Sequence, residues 1–312
     1  MRVKTRAMIA GAVGNMIFGL SYLFSTGALD NLRTVFADHG VAPGAEVPCL
    51  LAIRSVIALA VMTLMLPIMK VKISFRGKPV FKLILFGIFQ PVLYFIGETY
   101  GLELTGIVIS SILIALVPVC SQFAAVFFLK EKTTPTQIVL GVLSVAAVAF
   151  VGITSGGDDK KTYIAGILFL LLAVVSATAF NIIGRSIVDS FDAFERTYGM
   201  FIVSAVVFSV YALFALRGNI SLLIKPFAIP SFDIQIVYLG ILSSVFAYWM
   251  TNFARSELSV TRATIFINVI TVVSTFSGFF YYGYFSVSQA ICCFVIVLCV
   301  IFMQRSGTDE MY

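Results

Sequence analysis

Residues 85–141 read LFGIFQPVLYFIGETYGLELTGIVISSILIALVPVCSQFAAVFFLKEKTTPTQIVLG, and this stretch decides the fold. Two long apolar segments joined by a tight polar turn are followed by a further turn and the start of a third segment. Residues 238–293 read YLGILSSVFAYWMTNFARSELSVTRATIFINVITVVSTFSGFFYYGYFSVSQAICC and have the same arrangement. A shift of 153 residues aligns Gly87 with Gly240, and a shift of 154 aligns a Glu-Leu pair in each stretch. The shared lengths and polar positions predict a duplicated unit.

The composition indicates a membrane protein. The chain has 312 residues, of which 60% are hydrophobic and 12% charged, whereas soluble proteins carry about 25% charged residues. Apolar runs of about 20 residues recur along the chain, and each can cross a bilayer core of about 30 Å. No separate soluble domain is expected. The net charge of +6 is expected to orient the chain in the bilayer rather than to bind nucleic acid.

The apolar pattern predicts ten spanning helices, at residues 7–29, 48–69, 80–100, 106–129, 137–154, 163–186, 195–216, 233–254, 262–282 and 287–304. With the amino terminus inside, fifteen Lys and Arg, including Arg196 and Arg255, fall in inner segments and five in outer ones. This asymmetry predicts a multi-pass protein of the cell membrane with both termini in the cytoplasm. The longest predicted connection, Asp30 to Val47, is either a solvated loop or a cover over the outer mouth.

The number of spans predicts how the two halves are oriented. Ten helices divide into five and five, and an odd number per half makes the halves enter the membrane in opposite directions. The predicted repeats are residues 1–155 and 163–312, joined by a polar linker at 156–162. The predicted fold class is an all-α polytopic membrane protein, with two inverted five-helix repeats around a central cavity.

Two polar stripes have the spacing of one helical face, because their members follow each other at i, i+4 and i+8. They are Gln90, Tyr94 and Glu98 in the third span, and Ser244, Tyr248 and Asn252 in the eighth. Since the stripes are related by the repeat, an approximate two-fold axis brings both toward one central space. They form either the wall of a substrate cavity or two interhelical hydrogen-bond seams.

Other spans carry polar or small residues that we also assign to the substrate site. They are Asn15, Gly19 and Tyr22 in the first span, Asn181 in the sixth, and Asn268 and Thr271 in the ninth. A threonine often bonds back to its own helix instead, whereas an amide has more hydrogen bonds to satisfy. The resulting cavity is aromatic and lightly charged, which favours a neutral, zwitterionic or aromatic solute.

Two charged residues lie within the predicted spans. Arg54 either pairs with Glu98, or extends to the outer interface, or binds a substrate carboxylate. Glu98 is the candidate proton carrier if transport is coupled to protons. Pro91 and Pro118 each free a backbone carbonyl in mid-membrane, so each is either a hinge or a static kink.

Short motifs along the chain resemble those of one transporter group. Arg54 precedes small apolar residues, and Pro118 precedes a Phe-rich end, Leu129-Lys130-Glu131-Lys132, Gln137 and Gly141. Residues 248–263 carry a Y…N…L…T-R-A pattern. Together these motifs resemble the drug/metabolite transporter superfamily, in its EamA-type ten-helix branch. The resemblance implies export of amino acids or related metabolites.

These observations predict a secondary transporter of a small metabolite, which works by alternating access. The alternatives are a drug or nucleotide-sugar-like carrier, or a non-transporting membrane component such as a lipid scramblase. An enzyme is not expected, because the sequence has neither a phosphate-binding loop nor a serine–histidine pairing. The five cysteines lack metal-ligand spacing to the one histidine, His39, so no metal or other cofactor is expected. The expected partners are the solute, the lipid bilayer and protons as coupling ion.

Overall fold

A computed structural model describes residues 2–71, 73–130, 134–136, 139–143, 146, 160–258, 260–264, 266–282, 291, 294–295, 297–299 and 301–302. Within these residues all regular structure is helical. The predicted fifth and tenth spans, at 137–154 and 287–304, lie largely outside the described residues, as does most of the predicted linker.

The α-helices are α1 (Arg2–Asp38), α2 (Glu46–Met69), α3 (Val80–Gly87), α4 (Tyr94–Ile114), α5 (Val117–Leu129), α6 (Lys160–Ile187), α7 (Ala193–Ala215), α8 (Pro230–Val237), α9 (Tyr248–Glu257), α10 (Val260–Thr264) and α11 (Ile267–Tyr282). A π-helical segment, Ile88–Leu93, joins α3 to α4, and another, Tyr238–Ala247, joins α8 to α9. Two 3₁₀ turns, Ile220–Leu223 and Lys225–Ala228, lie between α7 and α8. In the described part of the chain, six helical stretches are long and apolar enough to cross a membrane. The count of ten spans stays a prediction.

The first helix is longer than its apolar segment. α1 continues to Asp38, so the predicted loop from Asp30 to Val47 is reduced to residues 39–45. The reason is that Leu29, Leu32 and Phe36 follow at helical spacing and are all buried. Hydropathy alone places the end of the helix at the first charged residues, whereas the buried face continues beyond them.

Several helices begin or end where the sequence provides a local reason. The Asp192 carboxylate accepts a hydrogen bond from Glu195 N at 2.8 Å, and Glu195 Oε2 accepts one from Asp192 N at 3.2 Å. This capping box starts α7. Gly106 has φ 80° and ψ 172°, so the chain turns sharply inside α4. Because few other residues tolerate this backbone conformation, a glycine is required there.

The two predicted hinges lie at breaks in the helices. Gln90, with φ −148° and ψ 120°, interrupts the first π-helical segment directly before Pro91. Pro118 is the second residue of α5 and follows the turn at Ala115 and Leu116. Proline fits the first turn of a helix because its missing N–H has no partner there. The breaks are therefore structural, and movement about them stays a prediction.

Helices from the two ends of the sequence pack against each other. α4 packs on α6, α2 on α7, and α1 on both α9 and α11. The closest approach is at Gly97 of α4, where an added Cβ would lie 2.4 Å from the carbonyl oxygen of Phe169. Small residues of this kind let membrane helices approach closely. The interior therefore lies between elements from both halves of the chain.

The outer surface is apolar and polar groups are buried. Ile68, Phe127 and Phe214 are 78%, 86% and 79% exposed, which suits contact with lipid. By contrast, Arg196 is fully buried, although its position in the sequence places it among the inner-loop charges. Its Nη2 atom donates to the carbonyl oxygen of Asn252 at 2.8 Å. Arg196 is thus a buried structural residue of α7.

Candidate functional site

A cavity lies in the middle of the bundle, between α1, α2, α4, α5, α6, α9 and α11. Its empty space is about 510 Å³, part of which is open to solvent. Its polar lining residues are Asn15, Ser21, Arg54, Gln90, Tyr94, Glu98, Asn181, Ser243, Tyr248 and Arg255. Apolar and aromatic side chains, such as Phe18 and Phe95, complete the wall. We call this space the main cavity.

Seven of the residues singled out in the sequence line the main cavity: Asn15, Arg54, Gln90, Tyr94, Glu98, Asn181 and Tyr248. The two polar stripes meet across it, because Gln90 Nε2 donates a hydrogen bond to Tyr248 Oη at 2.9 Å. Asn15 lines the opposite side, where its Nδ2 donates to the carbonyl oxygen of Gly11 at 2.7 Å. The structure therefore brings distant parts of the sequence to one space.

Glu98 carries the negative charge of the wall. The Tyr94 hydroxyl donates to Glu98 Oε1 at 2.7 Å. The predicted site residue Tyr22 is buried close to Glu98 and is not part of the lining. Its hydroxyl has no hydrogen-bond partner among the described residues. Glu98 thus accepts a hydrogen bond from Tyr94 and has a second tyrosine, Tyr22, within electrostatic range.

Arg54 points into the bundle. Its side chain donates from Nε to Ser244 Oγ at 3.2 Å and from Nη2 to Ser243 Oγ at 3.3 Å. The guanidinium carbon lies 4.0 Å from the centre of the Phe95 ring. Arg54 is 3% exposed, so it does not extend to the interface. No carboxylate of the described residues lies within 4.0 Å of it, although Glu98 lies within electrostatic range.

Of the second stripe, Tyr248 lines the main cavity, whereas Ser244 and Asn252 do not. Ser244 binds Arg54, and Asn252 turns toward α7, where its Nδ2 donates to Thr197 Oγ1 at 2.9 Å. Residues 238–247 are π-helical, with i→i+5 hydrogen bonds that alter the alignment of side chains four apart. The Asn252 side chain therefore forms a hydrogen bond with the neighbouring helix α7. It forms the interhelical seam that the sequence left as an alternative.

Three other residues singled out in the sequence pack between helices. Gly19 makes room for α11, because an added Cβ would lie 2.7 Å from Val273 Cβ. Thr271 Oγ1 donates to the carbonyl oxygen of Ser111 at 3.3 Å. Asn268 is buried, and neither polar atom of its side chain has a partner among the described residues. None of the three belongs to the lining of the main cavity.

Sequence reasoning missed Arg255 as a site residue and counted it among the inner-loop charges. Arg255 lines the main cavity and also a second cavity, whose other lining residues are Asn181, Gly184, Arg185, Val260, Ala263 and Thr264. The signal was present, since Arg255 follows Tyr248 by seven residues, and positions two turns apart share a helical face. Asn181 also belongs to both linings.

Ion pairs connect helices at the two ends of the bundle. Arg33 of α1 reaches Glu103 of α4 at 2.6 Å, Asp30 at 3.3 Å and Glu46 of α2 at 3.9 Å. We call this group the Arg33 cluster. It lies at the end of the bundle where α1 ends and α2 begins. At the other end, Lys78 reaches Glu195 at 2.7 Å and ties the α2–α3 connection to α7.

Comparison with known proteins gives the class of protein. The profile of the EamA-like transporter family matches residues 5–153 and again residues 164–305. The chain belongs to the EamA-like transporter family. It is 32% identical over 278 residues to the uncharacterized transporter YcxC of Bacillus subtilis (strain 168), covering 88% of this chain and 85% of YcxC.

A second relative is also a transporter, and a solved structure shares the fold. An uncharacterized transporter of Archaeoglobus fulgidus is 23% identical over 210 residues, which are 66% of this chain and 70% of that protein. A crystal structure of a protein with 17% identity superposes with a TM-score of 0.64 and covers 98% of this chain and 99% of its own. This EamA-like protein is therefore a multi-pass membrane transporter.

Proposed function

We propose that the protein is a secondary transporter that exports a small metabolite, such as an amino acid or a related neutral, zwitterionic or aromatic solute. The observation that carries this proposal is the main cavity, which has polar, charged and aromatic walls inside an otherwise apolar bundle. Buried charges are costly in a membrane protein unless they face a partner or a wet cavity. A solute that binds in this cavity satisfies these groups.

The solute crosses by alternating access, in which the two ends of the bundle open in turn. The Arg33 cluster ties α1, α2 and α4 at one end, while the second cavity lies toward the opposite end of α6 and α9. Such ties suit an end that is closed in one state and opens in the next. We assign the Arg33 cluster to the outside of the cell membrane and both termini to the cytoplasm.

The proposed scaffold consists of two inverted five-helix repeats, 1–155 and 163–312, with ten spans. Two observations support it. The family profile matches the chain twice, and the π-helical segments 88–93 and 238–247 occur at corresponding positions of the two halves. In repeats of this kind the binding site lies between the halves, where the spanning helices are interrupted.

Glu98 carries the coupling proton in this proposal. Among the lining residues of the main cavity it is the one carboxylate. The Tyr94 hydroxyl that contacts it provides a proton partner inside the wall. A carboxylate that changes its charge between the two open states links proton movement to solute movement.

A second candidate is a carrier of a phosphorylated solute or a drug. Two guanidinium groups, those of Arg54 and Arg255, line the main cavity, and arginine is well suited to bind phosphate. A panel of ligands separates the candidates. The melting temperature of the purified protein is measured with amino acids, nucleotide sugars, nucleosides and amine drugs, because a ligand that binds the folded state raises it.

The transport test uses proteoliposomes loaded with a radiolabelled form of the ligand that raised the melting temperature in that panel. Ala177 lines the main cavity and is 5% exposed, whereas Val175 on the same helix is 63% exposed. We expect Ala177→Phe to abolish efflux and the shift in melting temperature, and Val175→Phe to keep both. Wild-type efflux by a folded Ala177→Phe variant would contradict the proposal. Vesicles that move a labelled lipid but no solute would indicate a scramblase.

A further inference from the structure

Arg255 lies at the junction of the two cavities. Arg255 and Asn181 belong to the linings of both cavities. Arg255 belongs to the last turn of α9, and Asn181 to the final third of α6. A solute that passes between the two cavities therefore meets both side chains.

The positive charge of Arg255 is not balanced by the protein residues that the structure describes. No carboxylate among them lies within 4.0 Å of its guanidinium. Its contacts there are a long hydrogen bond from Nη1 to Asn252 Oδ1, at 3.4 Å, and the Phe180 ring, whose centre is 5.0 Å away. A guanidinium has five N–H donors in a planar fork, so most of its capacity remains for a ligand.

Three other arginines of the bundle, of which Arg33 is about half exposed, have different contacts. Arg33 has three carboxylates, and Arg54 has two serines, an aromatic ring and Glu98 within electrostatic range. Arg196 donates from Nη2 to a backbone carbonyl and to the Ser256 hydroxyl, although its Nη1 has no partner among the described residues. An uncompensated charge away from bulk water is costly. At Arg255 the compensating anion is therefore expected to come from the solute.

Asn181 adds an acceptor beside this cation. Its Nδ2 donates to Ser121 Oγ at 2.9 Å, which orients the amide. Its Oδ1 is buried and has no partner among the described residues, and the residue is 4% exposed. A buried acceptor without a donor is unfavourable, and a ligand N–H or O–H in the cavity removes this cost.

We infer that Arg255 and Asn181 form the anion subsite of the transport cavity, which takes the carboxylate of a solute with an N–H or O–H donor next to it. The guanidinium fork binds both carboxylate oxygens, and Asn181 Oδ1 accepts from the neighbouring amino or hydroxyl group. We assign the subsite to a carboxylate, and inorganic phosphate is the competing anion in the test. This inference rests on the proposed transport function and assigns the solute's orientation in it.

The test compares L-phenylalanine with L-phenylalaninamide, which differ in the carboxylate, on the purified full-length protein. Phenylalanine is chosen because Phe18, Phe95 and Tyr248 line the main cavity. We expect the wild type to bind the acid at least about tenfold more tightly than the amide, since a charge-assisted pair is involved. Inorganic phosphate at equal concentration should not compete. Equal binding of acid and amide, or competition by phosphate, would overturn the inference.

Variants then assign this discrimination to Arg255. Arg255→Gln should lose affinity for the acid and bind both probes alike, and Arg255→Lys, which keeps the charge without the fork, should retain part of the preference. Arg76→Gln removes the same charge from an exposed turn and should behave as wild type. Full preference for the acid in a folded Arg255→Gln or Arg255→Lys variant would refute the assignment.

The outcome separates the inference from the transport proposal. Efflux of amide and acid at equal rates by the wild type would remove the anion subsite and leave the transporter intact. If no solute of the panel binds or moves, both proposals fail together.

Discussion

The two interrupted helices that face each other across the main cavity differ in what they present to it. Both pass through a π-helical segment, at Ile88–Leu93 in one and at Tyr238–Ala247 in the other. The first is broken at Gln90 directly before a proline. The second has helical backbone angles at each of its described residues. Repeat-related positions in the sequence therefore do not guarantee equivalent geometry.

The difference extends to charge. The first helix supplies an acid, Glu98, and the second supplies a base, Arg255, to the same space. Between them, Gln90 and Tyr248 join the two helices by a hydrogen bond. The two helices thus present residues of opposite charge to the main cavity. We expect the acid to serve proton coupling and the base to serve solute binding.

The largest expected effect comes from the way the first helix packs. Gly97→Ala would place a Cβ 2.4 Å from a backbone carbonyl that cannot move aside, whereas Gly240→Ala in the second helix meets the side chain of Ile57 at 2.7 Å. Overpacking costs about 1–3 kcal/mol, and we expect the upper end for Gly97→Ala and the lower end for Gly240→Ala. The melting temperatures of both variants are measured in detergent. A lower melting temperature for Gly240→Ala than for Gly97→Ala would contradict this prediction.

Removal of the Glu98 carboxylate should remove the proton coupling that we assign to the first helix. We expect Glu98→Gln to lower accumulation driven by a pH gradient at least about tenfold, which corresponds to about 1.4 kcal/mol of coupling. Exchange of labelled for unlabelled solute without a gradient should continue. Both are measured in proteoliposomes. Undiminished dependence on the pH gradient would show that another group carries the proton.

Substitution of the two repeat-related tyrosines, Tyr94 and Tyr248, is expected to have a smaller effect on transport, and the effect should differ between the two helices. Tyr94 donates to Glu98, whereas the Tyr248 hydroxyl accepts from Gln90. We expect Tyr94→Phe to reduce gradient-driven accumulation by about two- to fivefold, because a hydrogen bond to a charged group is lost. Tyr248→Phe should leave the gradient dependence unchanged. Equal losses in the two variants would show that the tyrosines have equivalent roles.

The smallest effect is expected at the surface of the bundle. Asp30 and Arg33 form a pair whose side chains are about half exposed, and such pairs contribute between about 0 and 1 kcal/mol. We expect Asp30→Asn to leave the melting temperature nearly unchanged. Glu103→Gln should lower it more, since the Glu103 side chain is 19% exposed and lies 2.6 Å from Arg33.

Hydropathy predicted the approximate positions of several described helices, because the lipid imposes a strict length and composition on each span. The predicted span at 195–216 corresponds to α7 (Ala193–Ala215), for example. Hydropathy failed at the end of α1, where charged residues at Asp30 and Arg33 belong to a helix whose other face is buried. Mean hydropathy averages the residues on all faces of a helix, so it does not detect a helix that continues with only one face buried.

The site was predicted only in part. Spacing predicted that Gln90, Tyr94 and Glu98 share one helical face, and all three line the main cavity although the helix is broken at Gln90. It could not decide that Asn252 satisfies α7 while Arg255 faces the cavity. That choice depends on the neighbouring helix, and a charged residue near a helix end looks the same in sequence whether it lies in a loop or lines a cavity.

Locking the Arg33 end of the bundle tests the central claim, that the cavity opens to the two sides in turn. In a protein whose five cysteines have been replaced, Arg33→Cys and Glu103→Cys are joined by a short reducible thiol cross-linker. A matched control joins Asp30→Cys to Arg33→Cys within α1. If the protein works by alternating access, the α1–α4 link stops efflux but leaves solute binding intact, and reduction of the cross-linker restores efflux. The control link has no effect. Undiminished efflux with the α1–α4 link intact would contradict this mechanism.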